Sequence, residues 1–177
     1  MDLPNILRYE EIDRFIMAIN TLEDLLACRL MLFGGLRVSE ATEVRPKDFD
    51  PGSCSVFVEK GKGSKDRVAP VDIHTLSLAL ILARERKMSP EEHYFGQCVR
   101  SLQRHVGETA ERAGITKNVT AHTLRHTCAT WQLDQGIPLE VVRGNLGHTD
   151  IATTQIYLHL NIRQRSRAYL DATRFGV

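Results

Sequence analysis

The sequence has no long hydrophobic run, no paired cysteines and almost no net charge. No stretch approaches the ~20 apolar residues needed to span a bilayer, and the N-terminus has neither the basic start nor the apolar stretch of a secretory signal. The four cysteines lie singly, without a C-x-x-C pair, which argues against a zinc ribbon or a redox motif. These absences favour a cytoplasmic protein without a membrane segment, whose cysteines are reduced core residues.

The net charge of +1 is low for a nucleic-acid-binding domain, but the charges are unevenly placed. The first 24 residues hold six acidic and two basic side chains, whereas the tail from Asn161 holds four arginines against Asp171 alone. Against a single acid, residues 60–67 hold four bases: Lys60, Lys62, Lys65 and Arg67. Such a local cationic surface can follow DNA phosphates, although simple solvated charge would look the same.

Helical periodicity dominates the sequence, and the one clear sheet signal lies in the middle. Runs rich in β-branched residues at 53–60 and 67–71 flank the segment GKGSK, which is typical of a hairpin tip. Apolar spacing predicts helices over 9–20, 21–33, 38–44, 73–87, 97–113 and 121–135, and then from Pro138, from Asp150 and over 161–173. The length fits one domain. The sequence therefore predicts a single domain, residues 1–177, that is mainly α with a small β-hairpin.

Two arginines and two histidines are candidates for chemistry. Arg37 follows a Gly-Gly turn, and Arg125 lies between His122 and His126 at the start of a predicted helix, where this spacing puts the three on one face. A guanidinium offers forked donors that match phosphate oxygens. Taken singly, each arginine fits a surface ion pair better. The histidine pair lacks the glutamate of a metalloprotease motif, since Thr123 stands there, so no metal is expected.

The C-terminal segment adds a histidine and a tyrosine. His148 lies just before a predicted helix start, where backbone N–H groups favour an anion. Tyr157 is nine residues further along. An isolated tyrosine on an apolar helix is usually a core residue, so neither residue carries a function by itself.

In their order, these motifs resemble the tyrosine recombinases, the family of phage integrases and Xer-type resolvases. The pattern is G-L-R-x-S-E, a G-K-G hairpin, H-x-L-R-H, L-G-H and then a tyrosine, and it runs from about Leu3 to the tail. The resemblance implies the recombinase catalytic-domain fold. It also implies a catalytic set with two supporting residues: Arg37, Lys62, His122, Arg125, His148 and Tyr157, supported by Glu40 and His126. Lys60, Lys65 and Arg67 are expected to contact DNA.

The resemblance further implies a site-specific recombinase that cuts and rejoins double-stranded DNA through a 3′-phosphotyrosyl intermediate, without metal, ATP or small-molecule cofactor. A homotetramer is expected on DNA, with the tail helix of residues 161–177 packed on its own protomer or exchanged with a neighbour. Many members carry an N-terminal DNA-clamping domain. Because residues from Leu3 already resemble the start of the catalytic domain, we expect that domain to be absent from this chain, whether it is a fragment or a naturally short member.

Three other interpretations share parts of the pattern. A type IB topoisomerase uses similar tyrosine, arginine and lysine chemistry but reseals its own strand, and the L-G-H segment and short hairpin favour a recombinase over it. A DNA-binding regulator would have no need of the tyrosine with two arginines and a lysine. A metal-dependent hydrolase would lose its activity in chelator.

Overall fold

The computed structural model describes residues 5–59, 66–96 and 98–147, where helices surround a small antiparallel sheet. The elements are α1 (Tyr9–Met17), α2 (Leu22–Leu32), α3 (Val38–Ala41), a 3-10 turn (Pro46–Asp48), β1 (Phe49–Asp50), β2 (Ser55–Val58), β3 (Arg67–Pro70), α4 (Ile73–Glu85), α5 (Val99–Arg112), α6 (Ala121–Asp134) and α7 (Leu139–Leu146). The predicted class, mainly α with a small sheet, is confirmed. No helix in these ranges is long and apolar enough to cross a membrane.

Helix α2 is the centre of the core. Its N-cap is Thr21, whose hydroxyl accepts a hydrogen bond from the Asp24 backbone N–H at 3.1 Å. From Asp24 onward no residue of α2 is exposed, and the helix packs against α4, α5 and α6. Side chains such as Leu26 and Leu30 are fully buried, and each contributes about 1.5–3 kcal/mol of burial free energy. The helix therefore gives a rigid base for the turn that follows it.

The sheet has the strand order β1–β2–β3, with both pairs antiparallel. Val56 pairs with both Phe49 and Ala69, and Val58 pairs with Arg67. The predicted hairpin is thus present, with strands shorter than the predicted runs. Strand β1 and the 3-10 turn before it were not predicted from the sequence.

Helices α6 and α7 pack against each other, and Cys128 of α6 and Leu146 of α7 lie against the turn after α2. Helix α6 begins after Thr120, whose hydroxyl accepts from the Thr123 backbone N–H at 3.2 Å. Helix α7 ends at Leu146, and its C-cap Gly147 has the left-handed backbone that favours glycine (φ 63°). The predicted helices from Asp150 and over 161–173 lie outside the described residues.

The cysteine prediction is only partly right. All four cysteines are unpaired, and Cys28 and Cys128 are buried. Cys54 is half-buried, and Cys98 is exposed at the N-cap of α5, so it is not a core residue. The N-cap of a helix can be exposed to solvent, and helical periodicity alone did not show that Cys98 occupies this position.

Candidate active site

The start of α3, the start of α6, the end of α7 and the first residue of β3 meet at one place. A glycine turn makes this meeting possible. Gly35 has a left-handed backbone (φ 66°), and a side chain there would overlap the Leu146 side chain of α7. The turn therefore lets α7 approach the segment that carries Arg37 and Glu40.

Glu40 is the centre of the site, and its side chain is 9% exposed. Its Oε1 accepts from Arg37 Nη1 at 2.9 Å and from Arg67 Nη1 at 2.8 Å. Its Oε2 accepts from the Arg37 backbone N–H at 2.8 Å and from Arg67 Nη2 at 2.7 Å. Burial acts to raise the pKa of Glu40, but the bonds from the two arginines outweigh it and lower the pKa to about 2. The carboxylate is therefore ionised throughout the physiological range.

Arg125 is buried, and main-chain carbonyls fix its guanidinium. Nη1 donates to the Gly35 carbonyl and Nη2 to the Leu146 carbonyl, each at 2.6 Å. Nη1 also lies 3.7 Å from Glu40 Oε2. Burial, reinforced by the charges of Arg37 and Arg67, lowers the pKa of Arg125 to about 10. The group still carries its proton at neutral pH.

Arg37 is the member of the cluster that faces outward. Its side chain is 38% exposed, against 8% for Arg125 and 7% for Arg67. The three guanidinium groups share the one carboxylate of Glu40, so these four side chains carry two positive charges in excess. Like charges in a partly dehydrated site repel strongly. An anion at the exposed side of Arg37 would relieve that repulsion.

The two predicted histidines lie near the start of α6. Their ring centroids are 6.5 Å apart; His122 is exposed and His126 is half-buried. Burial, followed by the neighbouring His122 and Arg125, lowers the pKa of His126. The surroundings of His126 therefore favour its neutral form. The shared face predicted from the spacing holds for the two rings, whereas Arg125 points into the protein.

Arg67 has a buried position that the sequence did not indicate. It was expected to contact DNA beside Lys60 and Lys65, but its guanidinium is buried and bound to Glu40. Lys60, Lys62, Lys65, His148 and Tyr157 lie outside the described residues, so their roles stay predictions. Within the described ranges no group of three or more His, Cys, Asp or Glu side chains is placed to hold a metal ion, and a metal-free reaction also stays a prediction.

Sequence reasoning missed the main-chain acceptors of the site. The carbonyls of Gly35 and Leu146 hold Arg125, and the carbonyl of Asn145 accepts from Arg67 Nε at 3.0 Å. Carbonyl groups have no signature in a sequence. The Gly-Gly turn was the available signal, because it indicates that another backbone approaches closely.

Comparison with known proteins agrees with this geometry. Residues 5–164 match the model of the phage integrase family. A tyrosine recombinase of Pseudothermotoga lettingae is 33% identical over 163 residues, covering 89% of this chain and 57% of the relative. The tyrosine recombinase XerC of Xanthomonas axonopodis pv. citri is 34% identical over 177 residues, covering 94% of this chain and 58% of the relative.

Two solved structures extend the similarity to the fold. The XerA recombinase has a TM-score of 0.83 at 28% identity, with 99% of this chain and 68% of that chain covered. The XerH site-specific recombinase, bound to its difH substrate, has a TM-score of 0.75 at 27% identity, with 93% and 53% covered.

The chain belongs to the phage integrase family, and its fold is that of a tyrosine recombinase catalytic domain. It spans 57% and 58% of the length of the two curated relatives described above. The resemblance found in the sequence motifs is thereby confirmed.

Proposed function

We propose that the chain is the catalytic domain of a site-specific DNA recombinase that exchanges strands through a covalent bond to Tyr157. The observation that carries the proposal is the excess positive charge around Glu40, with Arg37 facing outward. The related XerH site-specific recombinase is bound to its difH substrate, which supports double-stranded DNA as the partner of this chain.

The arginine cluster suits the charge that develops in phosphoryl transfer. In the transition state, negative charge collects on the non-bridging phosphate oxygens, and fixed donors in a dehydrated site stabilise it. Arg37 supplies an accessible guanidinium. Arg125, held on two carbonyls, adds a positive charge that does not have to move during the reaction.

The proposed reaction has two balanced steps. The Tyr157 oxygen bonds to a backbone phosphorus, the bond from phosphorus to the 5′ oxygen breaks, and that oxygen leaves as a hydroxyl after taking a proton. A 5′-hydroxyl, from the same or a partner duplex, then attacks the phosphotyrosyl bond and releases the tyrosine. Bond energy is kept in the covalent intermediate, so the reaction consumes no ATP.

The remaining roles follow the family pattern. Lys62 would protonate the leaving 5′ oxygen, His122 would act as base or orienter for the tyrosine proton, and His148 would donate to the phosphate. A tetramer would form on DNA, with the 161–177 tail packed or exchanged between protomers.

Covalent trapping tests the proposal. The protein is incubated in EDTA with end-labelled duplexes that contain a randomised segment and a nick just downstream of it. Cleavage then releases a short strand that cannot be religated. We expect a labelled adduct on a denaturing gel, and selection of the trapped duplexes would reveal the site.

Two tyrosine variants make the test specific. Tyr157→Phe is expected to form no adduct. Tyr9→Phe, which changes an exposed tyrosine of α1, is expected to keep it. A library that yields bound duplexes but no adduct would contradict the enzyme assignment, and an adduct that needs divalent metal would contradict the metal-free step. Plasmids carrying the selected site should exchange arms; relaxed circles alone would indicate a topoisomerase.

A further inference from the structure

All three nitrogen atoms of the Arg67 guanidinium donate hydrogen bonds within the protein. Its two Nη atoms donate to the two oxygens of Glu40, at 2.8 and 2.7 Å, and its Nε donates to the Asn145 carbonyl at 3.0 Å. Its side chain is 7% exposed. Arg67 could reach a DNA phosphate only by giving up Glu40, so its position does not fit a DNA contact.

The contacts of Arg67 join separate parts of the fold. Arg67 is the first residue of β3, Glu40 lies in α3 and Asn145 is near the end of α7. The Asn145 side chain in turn donates to Gln132 Oε1 of α6 at 3.0 Å. Four elements of the site are thus connected through one guanidinium and the residue it contacts.

Stability alone does not account for this arrangement. A buried ion pair is often no more stabilising than apolar residues of the same volume, because both charges must be dehydrated. What a two-pronged arginine–carboxylate pair adds is a fixed orientation. The orientation that Arg67 fixes is that of the Glu40 carboxylate.

Glu40 passes this orientation to Arg37. Each Glu40 oxygen accepts one bond from Arg67 and one from Arg37. Loss of Arg67 would remove two of these four bonds, and the carboxylate would then be held by Arg37 itself and by the more distant Arg125. The guanidinium of Arg37 would then keep its bond to a less firmly held Glu40 and a long contact of 3.4 Å to the Gly147 carbonyl, so its position would be less well fixed.

We infer that Arg67 is a positioning residue, which orients Arg37 through Glu40 and ties both to the end of α7. The inference rests on the proposed function. It makes Arg67 necessary for the rate of strand cleavage and not for the affinity for DNA.

Arg67→Lys separates this role from a DNA contact. Lysine keeps the positive charge and can still bind a phosphate, but it cannot reproduce the two-pronged contact with a carboxylate. Arg29→Lys is the matched control. Arg29 is 14% exposed, and it holds Asp72 at 2.6 Å and the Thr75 hydroxyl at 3.0 Å, between α2 and the start of α4.

Adduct formation is measured at saturating DNA, alongside DNA affinity and melting temperature. For Arg67→Lys we expect the adduct to form on the order of 10- to 100-fold more slowly, since a misplacement of ~1 Å can cost about 10²-fold. DNA affinity should stay within about threefold of wild type. Arg29→Lys should lower the melting temperature without slowing the adduct. In a Glu40→Gln background, Arg67→Lys should have no further effect on the rate.

Two results would overturn the inference: a rate for Arg67→Lys equal to wild type, or a loss explained entirely by weaker DNA binding. If Arg67→Lys does not fold, Glu40→Gln by itself decides, because it weakens both arginine contacts. We expect the same rate loss at saturating DNA, and an unchanged rate would refute the role.

If the wild-type protein forms no adduct, the proposed function fails, but the positioning role is still decided. Inorganic phosphate is titrated while the Arg37 Nε–H resonance is followed by NMR. Weaker phosphate binding in Arg67→Lys than in wild type and Arg29→Lys would support positioning. Equal binding in all three would exclude it.

Discussion

Alanine in place of Gly35 is expected to destabilise the protein by roughly 2–5 kcal/mol. Gly35 has φ 66°, where a Cβ atom is strained, which accounts for about 1–2 kcal/mol. The new methyl group would also overlap the Leu146 side chain and lie 3.3 Å from Cys128 Sγ. Overpacking of this kind costs about 1–3 kcal/mol.

Gly136→Ala separates the two contributions. Gly136 also has a positive φ, of 83°, but no atom lies within 4 Å of the position that its Cβ would take. Only the backbone strain applies there, so the expected loss is about 1–2 kcal/mol. The difference between the two variants measures how closely α7 packs on the turn.

The free energy of unfolding is measured for both variants by urea denaturation. Equal losses at the two positions would refute the argument that α7 closes directly on Gly35. Because the Gly35 carbonyl accepts from Arg125, we also expect Gly35→Ala to slow adduct formation, and Gly136→Ala to leave it unchanged.

Three further predictions concern pH and helix stability. The pKa of Glu40 is lower in the folded than in the unfolded protein, so the ionised carboxylate adds up to roughly 3 kcal/mol to the free energy of unfolding above about pH 4.5, and this stabilisation is lost as the pH falls toward 2. Urea denaturation at several pH values should therefore show a smaller loss of stability in acid for Glu40→Gln than for wild type. The same loss in both proteins would contradict the assigned pKa. Thr120→Ala removes the cap of α6 and should cost about 0.5–2 kcal/mol, whereas Thr120→Ser should restore most of it. Gly107→Ala, in open space on α5, should stabilise the protein by about 0.5–1 kcal/mol, and a loss in chemical denaturation would show an unrecognised contact.

The sequence predicted the helices and the hairpin because their signals are local. Apolar residues repeat at the helical period, and turn residues separate the two β-rich runs. Strand β1 has two residues, Phe49–Asp50, which is too short to show an alternating pattern. Its place in the sheet depends on pairing with β2 and not on its own composition.

The helix ends were predicted less well than the helices. Helix α1 ends at Met17, before the predicted residue 20, and α3 covers Val38–Ala41 where residues 38–44 were predicted. A periodic pattern continues into the capping residues and the loop when these also bury apolar side chains. The pattern alone therefore overestimates the length.

For the site, the residue types were predictable and their partners were not. The motif order identified Arg37, Glu40 and Arg125, which the structure brings together. Arg67 follows a segment with lysines at positions 60, 62 and 65, where an arginine is easily taken for a surface charge. Its partner Glu40 is 27 residues away in the chain. Arg67 becomes buried only when folding brings the two residues together.

The burial of α2 has a consequence for how the protein is made. The helix ends at Leu32, yet one of the elements that cover it, α6, extends to Asp134. At about 5–20 residues per second, a ribosome takes roughly 5–20 s to synthesise the segment between them. During that interval the apolar surface of α2 has no complete covering from its own chain. Exposed apolar surface of this kind is prone to aggregate, so the core of the domain can form fully only after residue 134 has been synthesised.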